Sequence, residues 1–388
     1  MNGYPRFGWV DILRFQQLCT QIKIRMNTEV LRIIEGGLAN DHRKIISYAN
    51  RLADRLDKEG ESPLAKCIRQ KLETSVPHSA AIADALRTIP LDSDSRLQIV
   101  EVVPSDSHRQ KIVLSPLVEK QIKEFVDLVK NTSKLEVAGI DIKKTLLLYG
   151  KPGCGKTSIA NYICEQTGLP LVIARLDGIV SSLLGSTAKN IRKIFEYSSS
   201  FPCILFLDEF DAIAKARDDS HELGELKRVI NSLLQNIDSM PSSCVLIAAT
   251  NHQSLLDPAV WRRFVQKVEV ELPDEDEVLT LMSIFSENFE SNFSGDKQKI
   301  QSLAKAFQGL SPSDIKTIYD KAKVKSIISA THVIDYCQLL FGVFELKNED
   351  YTESSLVRFL SKNGVSQVAI HEAFGMSLRK IKGFLSEK

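Results

Sequence analysis

The sequence predicts an α/β fold in which a parallel sheet carries crossover helices, with helical segments before and after it. Two observations predict this fold. Short β-rich runs alternate with helical stretches, as in a series of strand–helix–strand units. The runs are almost wholly apolar, which is typical of strands buried on both faces. The five runs are Thr145–Tyr149, Leu171–Arg175, Cys203–Asp208, Cys244–Asn251 and Val265–Leu272.

The composition is that of a folded chain outside the membrane. Of the 388 residues, 43% are hydrophobic and 26% are charged, which are ordinary values for globular proteins. No apolar run approaches the roughly 20 residues that span a bilayer, and the N-terminus lacks a signal-peptide pattern. The 50 basic residues balance the 49 acidic ones, so no chain-wide field favours nucleic acid. The seven scattered cysteines lack zinc-binding spacing. We therefore expect a cytoplasmic protein with reduced thiols and no membrane contact.

The N-terminal part has the apolar spacing of helices. Residues 26–57 predict a helical hairpin that is interrupted near Gly36, and Leu64–Leu72 predicts another helix. We assign residues 26–97 to a small all-α domain. Residues 1–25 are either an extension or a misassigned start.

A glycine-rich loop of the pattern Gly-x-x-x-x-Gly-Lys-Thr follows the first β-run and opens a helix. In this context the backbone N–H groups wrap phosphates. Lys156 would reach the β- and γ-phosphates, and Thr157 would ligate Mg²⁺. The alternative, a chance glycine-rich loop, does not explain the flanking strand and helix. The predicted nucleotide-binding residues are Gly150, Pro152, Gly153, Cys154, Gly155, Lys156, Thr157, Ser158 and Asp208.

A pair of carboxylates follows the third β-run. Asp208 and Glu209 stand at the carboxyl end of a buried strand, where open α/β sheets bind ligands. Asp208 would hold Mg²⁺ together with Thr157, and Glu209 would polarise the water that attacks ATP. An acidic strand-to-helix turn is the alternative, and the preceding phosphate loop disfavours it. ATP and Mg²⁺ are the predicted cofactors.

Cys154 lies within the phosphate-binding loop. We expect Lys156 and the helix N-terminus to lower the pKa of its thiol, which would make the site sensitive to oxidation.

With these motifs in order, residues 113–322 resemble the ATPase module of AAA proteins. The resemblance implies a P-loop AAA+ module, with a five-stranded parallel sheet flanked by helices and a helical lid. We place the α/β core at residues 98–273 and the lid at 274–330. Val245–Asn251 is similar to the family's sensor-1 strand, which makes Asn251 the group that orients the lytic water.

Two further segments extend the resemblance. Leu256–Phe264 resembles the region that presents an arginine to the neighbouring subunit's γ-phosphate, with Arg263 as the first choice and Arg262 as the second. Gln266 stands where many members carry another arginine. Gly309–Ile315 resembles the lid signature, with Ser-Pro-Ser in place of Ser-Gly-Ala and no second-sensor arginine.

Two loops are candidates for contact with a client. Ser181–Gly185 aligns with the loop that grips substrate in protein-threading rings, and leucine stands there at the aromatic position. Threading and simple core packing of Leu183 and Leu184 both stay open. Asp218–Glu222 is in the place of a second pore loop and is interpreted as solvated surface.

The C-terminal tail, residues 331–388, is predicted to be helical and to carry a helix-turn-helix-like motif at 366–386. Gly375 would occupy the turn and Ser377 would cap the second helix. Contact with DNA through residues 353–388 and docking of a protein both stay open. The basic residues that would face DNA are Arg379, Lys380 and Lys382.

Together these features predict an ATPase that assembles into a ring, with a hexamer expected. It would remodel or thread a macromolecular client, and the resemblance suggests a partner peptidase or a role in genome defence. The alternatives are an ATP switch bound to DNA through the tail and an ATP-binding scaffold without turnover. The predicted catalytic residues are Lys156, Glu209, Asn251 and Arg263.

Overall fold

The computed structural model describes ten stretches of the chain. They are residues 29–35, 42–58, 60–69, 89–92, 96–105, 111–176, 184–211, 223–241, 244–347 and 352–386. The chain divides into two compact units, Met1–Ile89 and Pro90–Lys388. The N-terminal extension at 1–25, Ser181–Leu183 of the first candidate pore loop and all of the second lie outside the described residues.

Three helices are described in the first unit. They are α1 (29–35), α2 (His42–Lys58) and α3 (62–69). Ala53 and Ala65 are fully buried, which allows close helix packing. Arg55 pairs with Glu29 at 2.6 Å and so joins α2 to α1.

Six strands form the main sheet, in the order β1-β3-β4-β5-β2-β6. Their bounds are β1 (Glu101–Val103), β2 (Lys144–Tyr149), β3 (Leu171–Arg175), β4 (Ile204–Asp208), β5 (Val245–Thr250) and β6 (Gln266–Glu269). Strands β2 to β6 are parallel, which confirms the predicted five-stranded parallel sheet. Strand β1 pairs antiparallel with β3 and was not predicted, because three residues are too few to show a period.

Helices cover the sheet because both of its faces are apolar. The helices of this layer are α4 (Pro116–Lys130), α5 (Thr132–Val137), α6 (Lys156–Thr167), α7 (Leu184–Ser199), α8 (Leu223–Ser239) and α9 (Pro258–Trp261). Ile122 of α4 and Ile159 of α6 share one core with Leu146 and Phe206 of the sheet. Since β2, β4 and β5 are neighbours, the segments that follow them gather at one edge.

The remaining helices form a second body, which also contains a small two-stranded sheet. Its elements are α10 (Glu275–Phe285), β7 (Glu290–Ser291), α11 (Lys297–Phe307), α12 (Pro312–Ile328), β8 (Val333–Ile334), α13 (Tyr336–Lys347), α14 (Glu353–Lys362), α15 (Gln367–Phe374) and α16 (Leu378–Ser386). One hydrophobic cluster runs from Val278 through Leu340 to Ile381. The helices of the predicted lid and of the predicted tail therefore pack on a common core.

Among the described residues, no helix combines the length and apolar character required to cross a membrane.

Candidate nucleotide-binding site

The loop between β2 and α6 has the backbone of a phosphate cradle. Gly150, Gly153 and Gly155 all have positive φ angles, of 140°, 76° and 94°. A Cβ at Gly150 would lie 2.2 Å from the carbonyl oxygen of Val270, so only glycine fits beside the chain that continues β6. Helix α6 begins at Lys156, which places its N-terminal N–H groups against the loop.

Lys156 is buried and turned back onto the loop. Its Nζ donates to the carbonyl oxygens of Gly150 and Lys151, both at 2.8 Å. Burial lowers the pKa of this ammonium from its usual value. The lysine is therefore held beside the cradle, and a phosphate that binds there would take over its hydrogen bonds.

Thr157 and Asp208 meet at the edge of the sheet. The hydroxyl of Thr157 donates to Oδ2 of Asp208 at 3.2 Å, and Oδ1 of Asp208 accepts from the backbone N–H of Glu209 at 2.9 Å. Mg²⁺ is commonly held by one or two protein oxygens together with substrate phosphates and waters. This pair of oxygens fits such an ion. Glu209 is exposed and has a φ of 53°, a conformation that non-glycine residues rarely adopt.

Asp211, which was not predicted as a site residue, joins this edge of the sheet to the end of β5. The residue is 2% exposed, and its Oδ1 accepts from the Thr250 hydroxyl and from the Asn251 backbone N–H, both at 3.1 Å. The Thr250 hydroxyl in turn accepts from the backbone N–H of His252 at 3.0 Å. Asp211 therefore fixes the segment that carries Asn251. In the sequence, the feature that could have indicated this role is a second aspartate three residues after Asp208.

A cavity of about 680 Å³ brings these groups together between the sheet and the helical body. Its lining includes Lys156, Thr157, Asp208, Glu209 and Asn251, along with the rest of the loop from Pro152 to Ile159. The linker at 111–114 and the lid also contribute. The lid residues are Leu281, Ile284, Phe285, Pro312, Ser313 and Lys316. No arginine occurs among the described residues that line this cavity.

The lid touches the phosphate loop directly. The backbone N–H of Ser313 donates to the carbonyl of Gly153 at 3.2 Å. A Cβ at Gly153 would lie 2.5 Å from Oγ of Ser311. Ser311 caps α12 in a reciprocal capping box with Asp314, and Pro312 occupies the first turn. The Ser-Pro-Ser sequence thus forms a fixed helix start against the loop.

The two candidate arginines stand apart from the cavity lining. Nη2 and Nε of Arg263 donate to the carboxylate of Asp238 at 3.0 and 3.3 Å, and Nη1 donates to the carbonyl of Ala259 at 3.0 Å. Arg262 is exposed. Gln266 donates to the backbone carbonyl of Gln121 at 2.7 Å, so this side chain is engaged with α4.

The expected lowering of the pKa of the Cys154 thiol is wrong. The residue is 6% exposed, and burial raises the pKa of its thiol, outweighing the opposite effect of Lys156 and Lys151. The free-energy cost of desolvating the thiolate exceeds the stabilisation that the nearby cations provide. The structure therefore gives no electrostatic basis for unusual reactivity at this cysteine.

The tail places two helices around Gly375, which has a φ of 68°. The hydroxyl of Ser377 accepts from the backbone N–H of Lys380 at 3.3 Å. Ile370 and Ile381 are fully buried against the helical body. Arg379 and Lys382 are exposed, whereas Lys380 pairs with Glu353 of α14.

The AAA family, described as "ATPase family associated with various cellular activities (AAA)", matches residues 146–272. An AAA family ATPase of Sinorhizobium fredii, itself uncharacterised, is 38% identical over 228 residues, covering 59% of this chain and 69% of that protein. A proteasome-activating nucleotidase of Methanococcus maripaludis is 36% identical over 217 residues, covering 54% of this chain and 52% of its own length. An FtsH ATP-dependent zinc metalloprotease of Metamycoplasma arthritidis is 31% identical over 265 residues, covering 66% of this chain and 34% of its own. The matching region is the one that carries the cavity and its loops, and the chain belongs to the AAA family of P-loop ATPases, enzymes that hydrolyse ATP.

Proposed function

We propose that this chain forms a ring, with six copies expected, in which ATP bound in the cavity of one subunit is hydrolysed with help from Arg263 of the next. Hydrolysis then does mechanical work on a macromolecular client, with a protein as the favoured class. The observation that carries the proposal is the cavity lining. It contains lysine, carboxylate and amide groups but no arginine among the described residues, while Arg263 is held elsewhere on the same core.

Within one subunit each of these groups has a separate role in binding ATP or in catalysis. The N–H groups of the loop and Lys156 bind the phosphates, and Thr157 and Asp208 would hold Mg²⁺. When bound, that ion neutralises the charge that builds on the phosphate oxygens. Glu209 polarises the attacking water and Asn251 orients it. Their common position on the cavity wall supports these roles.

The shared site is tested by mixing two inactive variants. Lys156→Ala removes the phosphate contact and Arg263→Ala removes the arginine, so each variant alone should lack ATPase activity. In an equal mixture, one interface in four joins an intact cavity to an intact arginine, and about a quarter of the wild-type rate should return. A mixture of Lys156→Ala with Glu209→Gln is the matched control, because both residues belong to the same half of the site and no activity should return.

No recovery in the first mixture would refute the shared site, provided that the variants assemble. Arg262→Ala in place of Arg263→Ala decides between the two arginines. The variant that is inactive alone and regains activity when mixed with Lys156→Ala has lost the residue that acts across the interface.

Support for a protein client comes from two of the relatives, a proteasome-activating nucleotidase and an ATP-dependent metalloprotease. The chain spans only about half of the nucleotidase and about a third of the metalloprotease, so the complete activity of neither protein is assigned to it. We propose a motor that delivers its client to a peptidase or acts in defence. Glu209→Gln should bind ATP without turnover and retain the client during purification. Recovery of nucleic acid in place of protein would contradict a protein client.

A second candidate is an ATP switch bound to DNA, and the exposed cations Arg379 and Lys382 on the second helix of the tail favour it. The pairing of Lys380 with Glu353 removes one of the three predicted contacts. Binding of random duplex DNA at low salt should be salt-sensitive if the tail contacts phosphates. The double variant Arg379→Ala/Lys382→Ala should abolish it, and the double variant Lys297→Ala/Lys299→Ala on the lid should not.

A further inference from the structure

A second cavity lies beside the nucleotide cavity. It has a volume of about 770 Å³ and is lined by the linker at 111–114 and by residues of α4, α6 and α10. The two cavities share the linker and Ile284, but among the described residues no part of the phosphate loop lines the second one. Cavities of this volume commonly hold small organic molecules. The second cavity is therefore a candidate site for a ligand other than the nucleotide.

The lining of this cavity combines apolar side chains with carboxylates. The half-buried apolar and aromatic members are Ile112, Val113, Leu114, Tyr162 and Ile284. The acidic members are Glu119, Glu165, Asp276 and Glu277. Lys111 is the one cation among the described residues that line the cavity. The lining thus offers both hydrocarbon contact and an excess of negative charge.

Two of these charges already have partners. Lys111 forms an ion pair with Glu287, which lies outside the lining, and Glu119 forms one with Lys123 of α4 at 2.6 Å. The side chain of Glu277 accepts from the backbone N–H of Asp274 at 2.9 Å and has no cation beside it in the described parts of the chain. Burial raises the pKa of this carboxyl, and the charges of Asp274 and Glu271 add to the effect.

The carboxylates of Glu165 and Asp276 have no hydrogen-bond or ion-pair partner within the described residues. Asp276 and Glu277 belong to the acidic first turn of α10, where capping and the helix dipole stabilise negative charge. Glu165 has no such explanation. It stands half-buried in the last turn of α6, where the dipole disfavours an anion, and that turn contains no basic residue. A cation supplied from outside the chain would stabilise it.

The placement of the carboxylates indicates the kind of cation. Glu165 belongs to α6, whereas Asp276 and Glu277 belong to α10, so the negative charges stand on two elements of the lining. A ligand that meets both elements needs more than one positive centre. A ligand that also covers the apolar side chains needs hydrocarbon between those centres. Ammonium groups donate up to three hydrogen bonds each, and methylene groups gain free energy when they leave water.

We propose that the second cavity binds a linear polyamine, with one ammonium group at Glu165, another at Asp276 or Glu277, and its methylene groups against the apolar side chains. A bound polyamine would join α6 of the sheet layer to α10 of the lid. The inference does not depend on ring assembly or on an arginine in trans.

The test is titration calorimetry of spermidine, a triamine, into the full-length, nucleotide-free protein at low salt. Glu165→Gln should weaken binding about tenfold or more, because an ionic hydrogen bond becomes a neutral one. Glu124→Gln is the matched control. Glu124 is exposed on α4, lines neither cavity, and is 4.0 Å from Lys120, so this variant should bind spermidine as the wild type does. Melting temperatures equal to that of the wild type would show that both variants fold.

Hydrogen exchange of the wild-type protein locates the ligand without any substitution. Spermidine should slow exchange in the last turn of α6 and in the first turns of α10. Slowing confined to other segments would place the ligand elsewhere and overturn the inference.

Hexaamminecobalt(III) separates a polyamine site from a merely acidic surface, because it carries the same charge as spermidine without methylene groups. It should bind at least tenfold more weakly than spermidine. Equal affinity of the two cations, with equal sensitivity to Glu165→Gln, would overturn the inference. So would a wild-type protein that does not bind spermidine, or a Glu165→Gln variant that binds it unchanged. None of these results would affect the proposed sharing of the ATP site between subunits.

Discussion

Asp211 is expected to control turnover although it does not line the cavity. Replacing it by alanine leaves the Thr250 hydroxyl and the Asn251 N–H without their acceptor, and each such loss at a buried site costs about 1–3 kcal/mol. The segment after β5 must then move to find other partners. A displacement of about 1 Å at a positioned catalytic group costs roughly 100-fold in rate. We therefore expect kcat for ATP to fall between about 10- and 100-fold in Asp211→Ala.

Asp211→Asn is the matched variant, because it keeps the shape and one carbonyl oxygen and should lose less. Both variants are assayed well below their melting temperatures for kcat, and their affinity for ADP is measured separately. ADP affinity should stay within about twofold, because catalytic geometry and ground-state binding are separable. A variant that melts earlier but hydrolyses ATP at the wild-type rate would refute a positioning role for Asp211.

Four further predictions concern the arginine and its ion pair, the lid and the thiol. Asp238→Asn should lower kcat by releasing Arg263, with little change in melting temperature because exposed ion pairs stabilise little; an unchanged kcat would contradict this. Since Arg263 lowers the pKa of Asp238, the pair's small stabilisation is present above the ordinary aspartate pKa, and it should be lost only as pH falls below that value. Ile381→Ala empties a fully buried site and should cost about 2–5 kcal/mol. Hydrogen exchange should then rise in both α12 and α16, and a rise in α16 alone would show that the tail is independent of the lid. Because burial raises the pKa of Cys154, the thiolate is scarcer at pH 7.5 than in an ordinary cysteine. Iodoacetamide should therefore label exposed Cys67 before Cys154 and leave ATPase activity intact; early inactivation would contradict the burial argument.

The parallel sheet was predictable because its signals are local. Strands β3, β4 and β5 are almost wholly apolar runs, and in β6 and its continuation apolar residues alternate with polar ones. The phosphate loop is contiguous in sequence, so its geometry follows from the glycines and from the helix that begins at Lys156. The proximity of Thr157 and Asp208 followed from one rule, that the carboxyl ends of all strands in a parallel sheet lie at the same edge.

Contacts between distant segments were not predictable in this way. Nothing near Asp211 in sequence indicates that its partners are Thr250 and Asn251. The packing of the tail on the lid was also missed, although α13 carries a signal. It buries residues on nearly all sides, and a helix that is apolar all round must lie between two layers. A Cβ at Gly342 would lie 2.8 Å from Cγ2 of Ile318, which measures how closely α13 approaches α12.

The shared core of lid and tail has a consequence for how nucleotide binding is transmitted. Ser313 is bonded to Gly153 of the phosphate loop, and it belongs to the first turn of α12. Helix α12 packs on α13, and α13 packs on the tail through Leu340 and Phe344 in the cluster that contains Ile381. Close-packed cores move as bodies and do not deform continuously. We therefore expect any shift of Ser313 that accompanies exchange at the phosphates to be carried to the tail. A protein or DNA that bound the tail, as proposed above, would then meet a surface set by the nucleotide.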